Sequence, residues 1–251
     1  MTTADYPILE FDPDPVGILD PTMVAPRDVP EHAVLCFFGE VVAKVAADAR
    51  ESFKLRAEHG SHRAYEIDHD GRRLLFFQPG VGAPLAAAFL EQAIARGCRR
   101  FVVCGGAGAL VPELVAGQVI VPTAAVRDEG TSYHYLPPAR EVDVDPALVT
   151  AATGLLTERD VPSVTGKTWT TDAVYRETRA RTARRRDEGC LAVEMEAAAL
   201  LAVARFRGVP LVYPLYAGDS LAGDTWDHRN WQRHHRREEL FWLSAAAVLR
   251  L

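Results

Sequence analysis

Arg100-Phe101-Val102-Val103-Cys104-Gly105-Gly106-Ala107-Gly108-Ala109-Leu110 is the stretch on which the fold reading turns. From Phe101 to Cys104 the residues are apolar without alternation, the pattern of a strand buried on both faces inside a sheet. Glycines follow at once. They predict a turn at the strand's end, where missing side chains let backbone amides approach a ligand, although a merely tight turn would use the same residues. The spacing is not Gly-x-Gly-x-x-Gly and no helix opens behind it, so a dinucleotide cofactor is not predicted.

Toward the N-terminus, Pro79-Gly80-Val81-Gly82-Ala83-Pro84 joins a strand, Arg73 to Gln78, to an alanine-rich helix ending at Arg96-Gly97. Tyr65 to Asp70 and Arg73 to Gln78 bracket Asp70-Gly71, a two-residue hairpin signal. Ala33 to Phe38 reads as a buried strand that Gly39-Glu40 turns into a helix through Val41, Val42 and Val45. Residues 1–30, rich in proline and aspartate from Tyr6 to Pro30, have no period and predict an extended arm laid over a surface, as arms that cross to a neighbouring subunit do.

Toward the C-terminus, Gly117 to Pro122 begins a strand that leads into Ala125 to Tyr135, a polar and aromatic loop. Asp145-Pro146 caps a helix to Glu158, and Val164 to Thr171 alternates as a strand. Arg176, Arg179, Arg181, Arg184, Arg185 and Arg186 fall on a helix whose charges predict a solvated face. Leu211 to Tyr216 reads as a last core strand delivering Ala217-Gly218-Asp219-Ser220 at its end, and Glu238 to Leu251 as a packing helix. The alternation predicts an α/β protein: a single three-layer α/β/α domain over residues 31–251 with a central mixed sheet.

The chain has 251 residues, 48% hydrophobic and 25% charged, which suits one globular domain. A formal charge of −6 gives no footprint for nucleic acid, no apolar run is long enough for a membrane span, and Met1 to Tyr6 has no leader pattern, so the expected location is cytoplasmic. Cys36, Cys98, Cys104 and Cys190 lack metal-type spacing and read as free thiols. Trp226 to Trp231 with His234-His235 invites a metal reading, but no acidic partner recurs at a regular interval; no metal is predicted.

Val193-Glu194-Met195-Glu196-Ala197-Ala198-Ala199-Leu200-Leu201 sets carboxylates among apolar neighbours at the entrance of a helix closed by Gly208 and Pro210. Buried carboxylates are costly unless a partner or ligand holds them. Glu194 and Glu196 either neutralise nearby arginines or favour the helix N-terminus through its dipole, or else serve a site.

This motif, with Pro79-Gly80-Val81-Gly82, Gly105 to Leu110, Val126-Arg127-Asp128-Glu129-Gly130 and Asp172-Ala173-Val174-Tyr175 in that order, resembles the nucleoside phosphorylase and nucleosidase superfamily. Its members include uridine phosphorylase, hexameric purine nucleoside phosphorylase and methylthioadenosine/adenosylhomocysteine nucleosidase, and the resemblance runs from about Leu35 to Ser220. It implies cleavage of the bond between a ribose and a base, a nucleoside as ligand, a homo-oligomer, and no cofactor beyond inorganic phosphate as a co-substrate. It gives Glu196 the ribose hydroxyls and Met195 the sugar face. Gly105, Gly106, Ala107 and Gly108 fall beside ribose or anion. Asp219 takes the base at N7, a residue that uridine phosphorylases lack, which implies a purine-like base. Val174 matches a base-stacking aromatic, for which Tyr175 or Trp169 would substitute.

The chain departs from the family where phosphorylases bind phosphate: Gly39-Glu40-Val41-Val42, Val103 and Gly106 replace the usual turn, arginine and hydroxyl. Arg63 matches an arginine lent across a subunit interface only with a gap in the alignment. Glu40 matches the glutamate that activates water in hydrolytic relatives, or merely favours its helix N-terminus. The expectation is therefore cleavage with water ahead of phosphate, against a phosphorylase with a rearranged anion site or a nucleoside-binding protein without catalysis.

Overall fold

The computed structural model describes residues 4–23, 28–58, 60–230 and 234–251. In chain order the strands are β1 (His32–Cys36), β2 (Arg50–Ala57), β3 (Gly60–His69), β4 (Arg72–Phe77), β5 (Arg100–Ala109), β6 (Val119–Asp128), β7 (Glu141–Asp143), β8 (Ser163–Thr171), β9 (Cys190–Glu194), β10 (Leu211–Val212) and β11 (Leu215–Ser220). The helices are α1 (Gly39–Ala46), α2 (Ala83–Arg96), α3 (Pro146–Glu158), α4 (Arg179–Asp187), α5 (Ala197–Arg207) and α6 (His234–Val248).

β1 lies between β4 and β5, parallel to both, so its side chains are covered on each face. Ala33, Leu35, Leu75, Phe77, Phe101 and Val103 point to a core closed by α2 and α5. Val34, Cys36, Leu74, Phe76, Val102 and Cys104 point the other way, to a core closed by α1, α3 and α6. Alternation along the pleat thus feeds two apolar layers from one set of strands, which is why these runs carry no polar positions. The result is the expected α/β/α arrangement about a mixed sheet.

The sheet order is β11-β6-β8-β9-β5-β1-β4-β3-β2, with β10 on β5 and β7 on β6. β11 also pairs with β5, so β5, β9, β8, β6 and β11 close into a ring at one side of the molecule. This closure rests on the glycine stretch. Gly105 to Gly108 do not turn: β5 continues to Ala109, pairing with β11 from Leu215↔Gly105 and with β9 at Gly108↔Val193. A Cβ on Gly105 would stand 2.8 Å from the Tyr213 hydroxyl, and one on Gly108 2.5 Å from Leu221 Cδ1. The glycines therefore admit neighbouring side chains to the strand, rather than bending it.

Other expectations shift for local reasons. β6 runs on to Asp128, because Ala125 and Val126 pair with β7 and β8. The Leu211–Tyr216 strand is split into β10 and β11 around Tyr213-Pro214, where proline has no N–H to donate. β2 extends the Asp70-Gly71 hairpin by pairing with β3 and has no counterpart in the sequence reading. α4 is no uniformly solvated face: Arg185 is buried and, with Arg181, pairs with Asp128. Of the arm, Pro15 O accepts from Arg207 Nη1 at 2.8 Å, and Ile18 and Leu19 stand exposed.

Candidate active site

The ring of strands and the N-termini of α2 and α5 surround a cavity of about 460 Å³. Glu194 ends β9 against its wall. Its carboxylate accepts from Thr170 Oγ1 at 2.6 Å, Thr168 Oγ1 at 3.3 Å, Glu196 N at 2.7 Å and Ala197 N at 2.6 Å. Those amides open α5, so Glu194 caps that helix from the strand before it, and no arginine takes part. Glu196 is 4% exposed and lines the cavity, its Oε1 accepting from Gly82 N at 2.6 Å, where α2 begins. Burial raises the pKa of both carboxyls, and in Glu196 the charge of Glu194 adds to it. Met195, between them, also lines the cavity.

Asp219 reaches the cavity through an irregularity. The β11–β5 register shifts between Ala217 and Ser220, and the intervening Gly218-Asp219 is set off the ladder toward the open space. Trp226 Nε1 donates to Asp219 Oδ2 at 2.7 Å. The loop that carries Trp226 is pinned by α4: Arg186 Nη1 donates to Ala222 O at 3.2 Å and Arg179 Nη2 to Asp224 O at 2.9 Å. Glu177 lines the same end of the cavity, and burial, then the charge of Asp219, pushes its carboxyl up to about 7.

At a third corner Glu40, on the first turn of α1, accepts from Arg237 Nη1 at 2.7 Å. Arg237 is 5% exposed, lines the cavity and lies over the Phe38 ring at 4.8 Å. Gly106 lies beside that ring, a Cβ there standing 3.9 Å from Phe38 Cε1. Arg237 was hidden among charges at the start of α6. Its helical spacing to Leu240, Phe241 and Ser244, all buried, is the signal that would have placed it inside.

Ala107 and Gly108 line the wall beside Gly106, as does Val174. Two expected substitutes for the stacking aromatic do not reach it. Tyr175 is 96% exposed. Trp169 is fully buried, its Nε1 donating to Asp128 Oδ2 at 2.9 Å, with Arg181 and Arg185 over its ring. Arg63 lies on β3, paired with Glu51 at 3.1 Å and outside the cavity of its own chain. The four cysteines are buried as free thiols, and burial pushes Cys98 and Cys190 up to about 12. Among the described residues no group of His, Cys, Asp and Glu could hold a metal ion; Trp231 and the side chain of His234 lie outside them.

Residues 31–247 match the family model described as phosphorylase superfamily. The chain belongs to that superfamily. A guanosine phosphorylase of Halorubrum lacusprofundi is 30% identical over 74% of this chain and 77% of its own length. A uridine phosphorylase of Salmonella typhimurium is 30% identical over 54% of this chain and 53% of that protein. In fold, the chain is similar to uridine phosphorylase from Vibrio fischeri, with a TM-score of 0.74 at 21% identity, covering 89% of this chain and 94% of that one. Purine nucleoside phosphorylase from Toxoplasma gondii gives 0.72 at 19% identity, covering 88% and 92%. Phosphorylases of this superfamily cleave N-glycosidic bonds with phosphate as co-substrate and no cofactor, and this chain is an N-glycosidic bond-cleaving enzyme of the superfamily. No helix among the described residues is long and apolar enough to cross a membrane.

Proposed function

We propose that the protein is a purine nucleoside phosphorylase in which Arg237 holds the phosphate that Val103 and Gly106 no longer can. The observation that carries this reading is a buried arginine in the same cavity as Glu196 and Asp219. A guanidinium offers a fork of donors to an anion, and withdrawn from water each charge-assisted bond contributes roughly 1.5–3 kcal/mol. Glu40 is already engaged with that guanidinium, which favours its carboxylate as a counter-ion that phosphate displaces over a base waiting for water.

In the reaction Glu196 accepts the ribose hydroxyls while Met195 and the strand from Gly106 to Gly108 bound the sugar; Gly105, buried against Tyr213 and Phe37, stands behind that wall. A phosphate oxygen attacks C1′ as the C1′–N9 bond breaks, its electron pair passing to the base. Asp219 delivers a proton to N7, and the Trp226 N–H keeps its other oxygen occupied. The products are the free purine and ribose 1-phosphate. Val174 and Leu221 supply apolar walls for the base. Arg63, at the edge of its own chain, fits a residue lent to a neighbouring copy, and we take the enzyme to be a cytoplasmic homo-oligomer.

Arg237→Gln tests the assignment: the KM for phosphate rises about tenfold or more while the KM for nucleoside changes little, and Arg237→Lys recovers part of the loss. An unchanged phosphate KM would remove Arg237 from the anion site. A second reading, hydrolysis with Glu40 as the general base, draws on Glu40 lining the cavity. It predicts that Glu40→Gln abolishes turnover in phosphate-free buffer.

A further inference from the structure

Tyr213 is 1% exposed and lines the cavity that holds Glu196. It stands between β10 and β11 ahead of Pro214, and its ring stacks on Phe37 with centroids 5.9 Å apart and planes at 13°. The glycine beneath it fixes where its oxygen lies. A Cβ on Gly105 would stand 2.8 Å from the hydroxyl, so that oxygen fills the space a side chain would take. Gly105 precedes Gly106, which lies beside Phe38 at the Arg237 corner of the cavity. Among the described residues no hydrogen-bond partner meets the Tyr213 hydroxyl. Burial, then the charges of Glu196 and Glu194, push its pKa well above the ordinary value, so it stays an O–H donor. A buried donor costs free energy until something accepts from it.

We propose that the Tyr213 hydroxyl donates to the 2′-oxygen of the sugar while Glu196 accepts the proton of that same hydroxyl, and that the pair selects ribonucleosides over 2′-deoxyribonucleosides. The inference rests on the nucleoside reading above and adds to it a residue that reads the sugar. A sugar hydroxyl has one proton to give and lone pairs to receive with. Glu196 supplies an acceptor and Tyr213 a donor, so together they satisfy both halves of one hydroxyl, and each bond polarises the other. Position favours O2′ over O3′. Tyr213 sits over Gly105, on the Gly106 and Phe38 side of the cavity from which the anion attacks C1′, and O2′ is borne by the carbon next to C1′. A 2′-deoxy sugar leaves the tyrosine donor without its acceptor, and a site with an unpaired polar group discriminates strongly against the ligand that leaves it so.

The test is equilibrium titration of the wild type and of Tyr213→Phe with 9-deazainosine and its 2′-deoxy and 3′-deoxy forms, whose carbon–carbon glycosidic bond is not cleaved, so sugar preference is read apart from turnover. The variant loses one oxygen and keeps the ring against Phe37. The wild type binds the ribose form on the order of 10- to 100-fold more tightly than the 2′-deoxy form. In Tyr213→Phe the ribose and 3′-deoxy forms weaken by about 3- to 10-fold, while the 2′-deoxy form changes by less than about twofold. The ligand-free variant melts at or above the wild-type temperature, because the lost oxygen had no partner there. A hydroxyl that merely supports the fold would instead lower the Tm and weaken all three ligands alike, which overturns the proposal. So does a ribose form that binds the variant unweakened, or a 3′-deoxy form insensitive to it. Ribose selectivity that depends on Tyr213, in an enzyme that releases free ribose, upholds the sugar assignment and sinks the phosphorylase reading; no binding of any of the three by the wild type overturns both.

Discussion

Glu194 and Glu196 stand two residues apart and divide their oxygens between the fold and the cavity. Glu194 spends its oxygens on threonine hydroxyls and the first amides of α5, while Glu196 keeps its carboxyl at the cavity with Gly82 as a donor. The sequence made both residues visible as carboxylates in apolar surroundings, but not this division, which depends on β8 bringing Thr168 and Thr170 alongside. Asp219 was legible from the same motif logic; its partner Trp226 was not, because its loop is placed by contacts from α4, nor was its neighbour Glu177, which comes from the segment just before that helix. Asp219→Asn is expected to lower kcat on purine nucleosides by about 10²–10⁴-fold while leaving the KM for phosphate in place. A kcat within a few-fold of wild type, measured at steady state, would take the acid role from Asp219.

Among the elements, strands and helices buried on one or both faces were readable from periodicity, and α3 begins at the expected cap, Asp145 accepting from Ala147 N. The glycine stretch was misread in a physical sense: its glycines make room for Tyr213 and Leu221 across a closing ring, a long-range packing fact that local turn chemistry does not contain. Gly80 is different. Its φ of 78° is left-handed, and a Cβ there would stand 2.4 Å from Leu85 Cδ2. This turn positions the Gly82 amide on Glu196. Gly80→Ala is expected to destabilise the protein by about 1–3 kcal/mol and to weaken nucleoside binding, checked by denaturant titration and by calorimetry. Wild-type values for both would mean that the loop tolerates a side chain and does not hold Glu196.

At the scale of the whole molecule, closing a barrel-like ring onto a layered sheet collects acidic groups in a low-dielectric place before any ligand arrives. Glu196 is raised from 4.5 to about 8 and Glu177 from 4.5 to about 7, in both cases first by burial. Between about 4.5 and about 8 the folded chain therefore binds more protons than the unfolded one, so stability is highest at the acid end of this window and falls as pH rises through it. Glu66 and Glu188, lowered despite burial by their hydrogen bonds to Ser52, Arg50, Arg73, Arg185 and Arg140, act in the opposite sense and only at more acid pH. The Tm of the ligand-free protein is expected to fall from about pH 5 to about pH 8.5, and less steeply in Glu196→Gln. A Tm flat over that range, or an unaltered slope in the variant, would show that Glu196 is not held protonated in the empty cavity. The fold class and the family were open to sequence reading because they rest on patterns repeated along the chain. The pairing of Arg237 with Glu40 at the cavity was not, since Arg237 comes from the last helix and meets Glu40 only in three dimensions.

The central claim, phosphate attack at a cavity where Arg237 replaces the lost anion ligands, is tested most directly by product analysis of guanosine turnover across graded phosphate. The expected result is no turnover without phosphate, saturable dependence on it, and guanine with ribose 1-phosphate in equal amounts. Release of free ribose at a rate indifferent to phosphate would contradict the claim and give the reaction to water and Glu40.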